Sequence, residues 1–136
     1  MRTKLTFEDL MARLSRACEE LSGLLGDEFI GLALFGSWAR GEAGEESDVD
    51  VLVVLKSLKG MEARSVIYKT IAKHVKRALT LVDVRLNEIA SDRVVLTPLL
   101  INIVADAIII WDTGNVLRGV RGEGKGPDQE GWPRQV

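Results

Sequence analysis

The chain has 136 residues, 46% of them hydrophobic, and a formal net charge of −2 from 18 basic and 20 acidic side chains; that is room for one sizeable core and not for two domains. A single cysteine, Cys18, and a single histidine, His74, exclude a disulfide scaffold and a structural zinc site. Balanced charge exerts no general pull on nucleic acid or an anionic membrane.

The N-terminus, Met-Arg-Thr-Lys, lacks the apolar run of a signal peptide. The most apolar stretch, 98–111, is too short for a bilayer and is interrupted by Asn102 and Asp106. The expected location is therefore the cytoplasm. In chain order, residues 6–22 carry Phe7, Leu10, Met11, Leu14, Cys18 and Leu21 at three- and four-residue steps, which predicts an amphipathic helix. Thr6 with Asp9 forms its cap, and Gly23 and Gly26 its end.

Phe29 to Phe35 predicts a buried strand that stops at Gly36-Ser37, where a short helical segment begins. Val49 to Leu55 predicts a second strand, entered through Ser47-Asp48-Val49-Asp50. Residues 61–78 predict a second long helix, with Ile67, Ile71 and Val75 on one face and Lys69, Lys73, Lys76 and Arg77 on the other. That basic face suits solvent, or docking of RNA or an acidic partner. Leu79 to Leu86 predicts a third strand, residues 92–105 a further helix, and residues 107–111 a fourth strand. Residues 119–133 contain five glycines and two prolines. The predicted organisation is thus a folded domain over 1–112 and a disordered tail over 113–136.

Acidic residues sit where strands should be apolar. Asp48 and Asp50, two apart at the mouth of a strand, project from one face about 6–7 Å apart. Asp83 interrupts Leu81-Val82-Asp83-Val84. A buried, uncompensated carboxylate costs several kcal/mol. If the two strands are neighbours, three carboxylates converge, a hard-oxygen set suited to Mg²⁺ or Mn²⁺. Two such ions about 4 Å apart would stabilise the attacking and leaving oxygens of a phosphoryl displacement. Taken singly, each aspartate also has a plain structural reading. Asp48 after Ser47 serves as a turn residue, Asp50 as an edge-strand charge, and Asp83 as a partner for Arg85 or for a basic residue elsewhere.

Gly36-Ser37 closes a strand in a way that lets backbone approach an anion. Arg40, one turn on, lies on the same side. The run Gly36-Ser37-Trp38-Ala39-Arg40-Gly41, six residues, then Asp48-Val49-Asp50, resembles the signature of the nucleotidyltransferase superfamily that includes DNA polymerase β. It is most similar to the minimal nucleotidyltransferases of prokaryotes, and Asp83 between two valines matches the family's third carboxylate.

The resemblance implies an α/β (α+β) fold with a mixed central sheet of about four strands and helices mainly on one face. It implies that Gly36, Ser37 and Arg40 meet the triphosphate of a nucleotide, ATP as donor. Asp48, Asp50 and Asp83 would hold Mg²⁺ (or Mn²⁺), and Asp83 would help activate an acceptor hydroxyl, with AMP transferred and pyrophosphate released. Larger members carry further domains for the acceptor, which a chain of this length lacks. The acceptor site then falls to a partner chain or a homo-oligomer interface. Minimal members are paired with a small all-helical HEPN-type toxin, so an antitoxin role is implied. The alternatives are a non-catalytic nucleotide-binding docking module and a homodimeric small-molecule nucleotidyltransferase.

Overall fold

The computed structural model describes residues 4–44, 46–90 and 98–121. The first helix, α1 (Phe7–Leu25), begins where the Thr6 hydroxyl accepts the Asp9 amide at 3.0 Å, removing one of the unpaired donors of a helix start. It buries Leu10, Leu14, Ala17, Cys18 and Leu21. The helix runs through Gly23 and stops at Gly26, where φ is +57°. A 3-10 turn at Gly26–Glu28 leads into β1 (Phe29–Phe35), which is followed by α2 (Gly36–Arg40) and β2 (Val49–Leu55). Next come α3 (Met61–Val75), β3 (Leu79–Arg85) and α4 (Leu86–Ala90). The chain closes with α5 (Pro98–Asp106), β4 (Ile108–Asp112) and, after a 3-10 turn at Thr113–Asn115, α6 (Val116–Arg121).

The four strands form one mixed sheet in the order β3-β2-β1-β4. β1 is antiparallel to β2 and β4, whereas β2 and β3 run parallel. A parallel pair needs a crossover, and α3 supplies it. Alternation along β2 divides the core. Val49, Val51, Val53 and Leu55 face the cluster built on α1 and α3, while Leu52 and Val54 face the other side. The two long helices therefore share one face and are tied to each other. Glu20 of α1 accepts from Lys73 at 2.6 Å and meets the His74 ring at 2.8 Å, and Arg13 donates to the Val75 carbonyl at 2.7 Å. Lys73 and His74 thus belong to a helix–helix contact rather than to a free basic face. The mixed α/β architecture expected from the sequence is the one observed.

The opposite face is covered by short elements. Ile89 of α4, Ile103 and Val104 of α5, and Val116 and Leu117 of α6 pack on Ile30, Ala33, Leu52 and Val54. The boundary expected at residue 112 is therefore too early. Two apolar residues, Val116 and Leu117, carry the chain back onto the sheet, and Asp112 accepts the Leu117 amide at 2.8 Å. Residues 122–136 of the expected tail lie outside the described residues, as do 92–97 of the helix expected over 92–105. Leu117 is fully buried, so Leu117→Ala should cost about 2–5 kcal/mol, read as a lower urea midpoint at unchanged slope.

Candidate active site at the end of β1

The pairing of β1 with β2 sets Phe35 opposite Asp50, so the residue after Phe35 begins its turn beside the Asp50 side chain. That residue, Gly36, has φ +75°, and a Cβ there would collide with the Asp50 carboxylate. Glycine is needed both for the backbone conformation and for the close approach. The single turn of α2 then closes at Gly41, also at φ +75°, and the Ser37 carbonyl accepts the Glu42 amide at 2.8 Å. No side chain caps the start of α2. The glycine–serine turn and the acidic strand, 12 residues apart in sequence between Gly36 and Asp48, thus meet at one place.

Asp48 enters β2 from a turn in which the Ser47 hydroxyl accepts the Gly44 amide at 2.9 Å. It is exposed, and alternation puts it on the same face as Asp50, which is half-buried. Burial pushes the Asp50 carboxyl above the ordinary carboxylate value. The Thr80 side chain opposes that rise, the neighbouring Asp48 adds to it, and Arg40 lowers it. Two acids therefore share a spot where Arg40 offsets their charge only in part, an arrangement that a divalent ion relieves. Arg40 itself is exposed and bonds Glu42 at 3.0 Å through its Nε.

Asp83 does not join this pair. The strands are neighbours, as expected, but the register sets Asp83 opposite Val53 and Thr80 opposite Asp50. Val53 and Leu81 belong to the cluster under α1 and α3, so Asp83 has the parity of that face and Asp50 the parity of the other. Both of its carboxylate oxygens are taken. Arg64 of α3 donates to one, and Arg85 to the other at 2.7 Å. Arg64 also donates to the Leu81 carbonyl at 2.7 Å. Among the described residues no group of three or more His, Cys, Asp or Glu converges to hold a metal ion. The convergence of three carboxylates expected from the sequence is not formed.

The plain reading of Asp83 as a partner for Arg85 is the one the geometry supports. Asp83→Asn should accordingly lower stability by about 1–2 kcal/mol, because Asp83 is mostly shielded while Arg64 is partly in water. It should leave nucleotide binding intact. A melting curve paired with a nucleotide titration checks both parts.

Sequence reasoning missed Thr80. It had the signal of a lone hydroxyl in an apolar strand, but the face could not be assigned without the register. Beside the turn, Phe7, Trp38, Ala39, Arg40, Gly41 and Ala43 line a groove of about 440 Å³. An adjoining groove of about 490 Å³ brings in Lys4 and Arg77. The indole N–H of Trp38 and the Nε of Arg77 are buried without a hydrogen-bond partner.

The residues present suit a divalent cation. Mg²⁺ is held by one or two carboxylates, with substrate phosphates and water completing its octahedron. Asp48 and Asp50 provide that number, next to a glycine cradle open to phosphate.

A mixed sheet with a glycine–serine turn abutting an Asp-x-Asp strand defines a nucleotidyl-transfer fold, and comparison with known proteins agrees. The nucleotidyltransferase domain family matches residues 11–110. The chain belongs to that family. It is 38% identical over 56 residues to "Putative protein adenylyltransferase MJ0141" of Methanocaldococcus jannaschii, a match covering 41% of this chain and 57% of that protein. The chain thus spans little more than half of that relative's length.

In fold it is similar to a chain of a toxin–antitoxin crystallised with AMP-PNP (TM-score 0.57, 21% identity, 79% of this chain and 81% of that one). It is also similar to a chain of the tri-AMPylated Shewanella oneidensis HEPN toxin in complex with MNT antitoxin (TM-score 0.55, 16% identity, 85% and 81%). At these identities the likeness is one of fold. No helix among the described residues is long and apolar enough to cross a membrane.

Proposed function

We propose that this chain transfers AMP from ATP to a hydroxyl on a partner protein of the small, all-helical HEPN type, with Mg²⁺ as the metal. The observation that carries the reading is the packing of Gly36 against the Asp50 carboxylate, because it joins an anion-accepting turn to an acid pair. Gly36 and Ser37 hold the triphosphate through backbone N–H groups and the serine hydroxyl, and Arg40 adds charge at the rim. Asp48 and Asp50 would hold the metal, and the chemistry it would supply there is neutralisation of phosphate charge and Lewis-acid polarisation of the α-phosphoryl group, with pyrophosphate as the leaving group. Transfer of this kind depends on positioning and electrostatics more than on covalent chemistry. The groove beside Trp38, with Lys4, Arg40 and Arg77 about it, seats the acceptor segment. Names of similar proteins that refer to protein adenylylation and to an AMPylated toxin support the choice of AMP and of a protein acceptor.

The test is incubation of the chain with α-labelled ATP, Mg²⁺ and a co-expressed partner. Label on a partner hydroxyl supports the reading. Label on small metabolites alone would favour the small-molecule alternative. One observation favours a second reading, a docking module without turnover: the site presents two carboxylates rather than three. A chain carrying asparagine at both 48 and 50 that still neutralised its partner would establish docking in place of transfer.

A further inference from the structure

On β3, next to the acid pair, one residue has a role that deepens the proposed function and rests on it. β3 lies parallel to β2 with Thr80 directly across from Asp50, so their side chains stand on the same face. The positions of β3 that share this face are 80, 82 and 84. Val82 and Val84 pack against the second core cluster, which leaves Thr80 as the polar side chain there. Thr80 is exposed, between buried Leu79 and Leu81. Its side chain favours the ionised form of the Asp50 carboxylate across the strand pair, while the same carboxylate also abuts Gly36. The nearest carboxylate on β3, Asp83, is committed to Arg64 and Arg85 on the opposite face.

We propose that Thr80 is a positioning residue, its hydroxyl holding the Asp50 carboxylate in the orientation that binds a divalent ion, and that it stands where a third acidic ligand would be required. It follows that the nucleotide-free site takes one ion, through Asp48 and Asp50. Hydrogen-bond partners of a metal-binding carboxylate fix its orientation, and their removal typically costs about 10–100-fold in metal affinity. An added carboxylate at the same place raises the ligand charge and tightens the site.

The test is a Mn²⁺ titration of the nucleotide-free chain, followed by the electron paramagnetic resonance signal of the free ion. The wild type is expected to bind one ion, Thr80→Val to bind it about tenfold more weakly, and Thr80→Ser to restore the wild-type isotherm. Thr80→Asp is expected to bind about tenfold more tightly, in keeping with its extra charge. Valine has nearly the shape of threonine and suits a strand, and position 80 is exposed, so Thr80→Val and Thr80→Ser should melt as the wild type does. Thr80→Asp, with a like charge set opposite Asp50, should melt lower without metal and regain Tm with Mn²⁺. The loss of affinity in Thr80→Val is then not one of folding. Superimposable wild-type and Thr80→Val isotherms, or a Thr80→Asp chain with no gain, would overturn the proposal. The Asp48→Asn, Asp50→Asn double variant separates it from the function on which it rests. If that variant loses Mn²⁺ while Thr80→Val does not, only the role of Thr80 falls. If it binds as the wild type does, the acid-pair site falls and Thr80 with it.

Discussion

Replacing Asp48 and Asp50 together with asparagine is expected to lower AMP transfer by about 10³-fold or more, since a catalytic metal supplies several kcal/mol of charge stabilisation and each 1.4 kcal/mol is a factor of ten. The fold should survive the change. Asp48 is exposed, and Asp50 is held above the ordinary carboxylate value chiefly by burial. A carboxyl raised in this way binds more protons in the folded chain than in the unfolded one over the interval between its two values. Stability therefore falls as pH climbs through that interval and stays lower above it.

Asparagine at 50 removes that penalty. In EDTA at neutral pH the Asp50→Asn chain should melt no earlier than the wild type, and the difference should vanish below the unfolded carboxylate value. A variant that lost activity together with several degrees of Tm would show that Asp50 is structural, in contradiction to the site described.

Gly36→Ala should be damaging by a different route. The backbone there lies at φ +75°, and a Cβ would run into the Asp50 carboxylate. The conformational strain alone is about 1–3 kcal/mol. The collision is with the end of a side chain, so Asp50 would swing away instead of the sheet unpairing. The expected result is a chain that still folds, with a reduced Tm, and that binds neither ATP nor Mn²⁺ measurably. Gly41→Ala is the control. It shares the positive φ but has nothing within 4 Å of the added Cβ, so it should reproduce the strain and spare binding. Equal nucleotide affinity in wild type and Gly36→Ala would remove the turn from the site.

The parts of the site that were legible are those set by local geometry. Gly36 and Asp50 meet because β1 and β2 are antiparallel neighbours with Phe35 opposite Asp50. A glycine closing one strand and an acid opening the next must then come together. Asp83 was misplaced because a parallel pairing takes its register from the crossover. Here that register depends on where α3 stops, at Lys76 with φ +60°, followed by the Val49 amide bonding the Ala78 carbonyl.

A shift of one residue would have reversed every face of β3. Both β2 and β3 are nearly continuous apolar runs, as strands covered on both sides tend to be, so alternation carried no information about which face was which. The same two-sided cover explains α6. Three apolar residues, Val116, Leu117 and Val120, in a glycine-rich stretch are too few for periodicity to register, yet they suffice to close a core already mostly covered.

The position of β1 bears on how the site behaves over time. It is hydrogen-bonded along both edges, and its residues from Phe29 to Leu34 are buried. Amides in such a strand exchange with solvent only when the whole domain opens, whereas frayed ends and loops exchange through small local fluctuations. The glycine–serine turn hangs directly from its last residue. Deuterium uptake should therefore be as slow in the segment just before residue 36 as in β2, the other doubly paired strand, with or without nucleotide. Ligand binding would then draw little on ordering of the turn and would leave the protection of β1 almost unchanged, in contrast to a site assembled from a mobile lid.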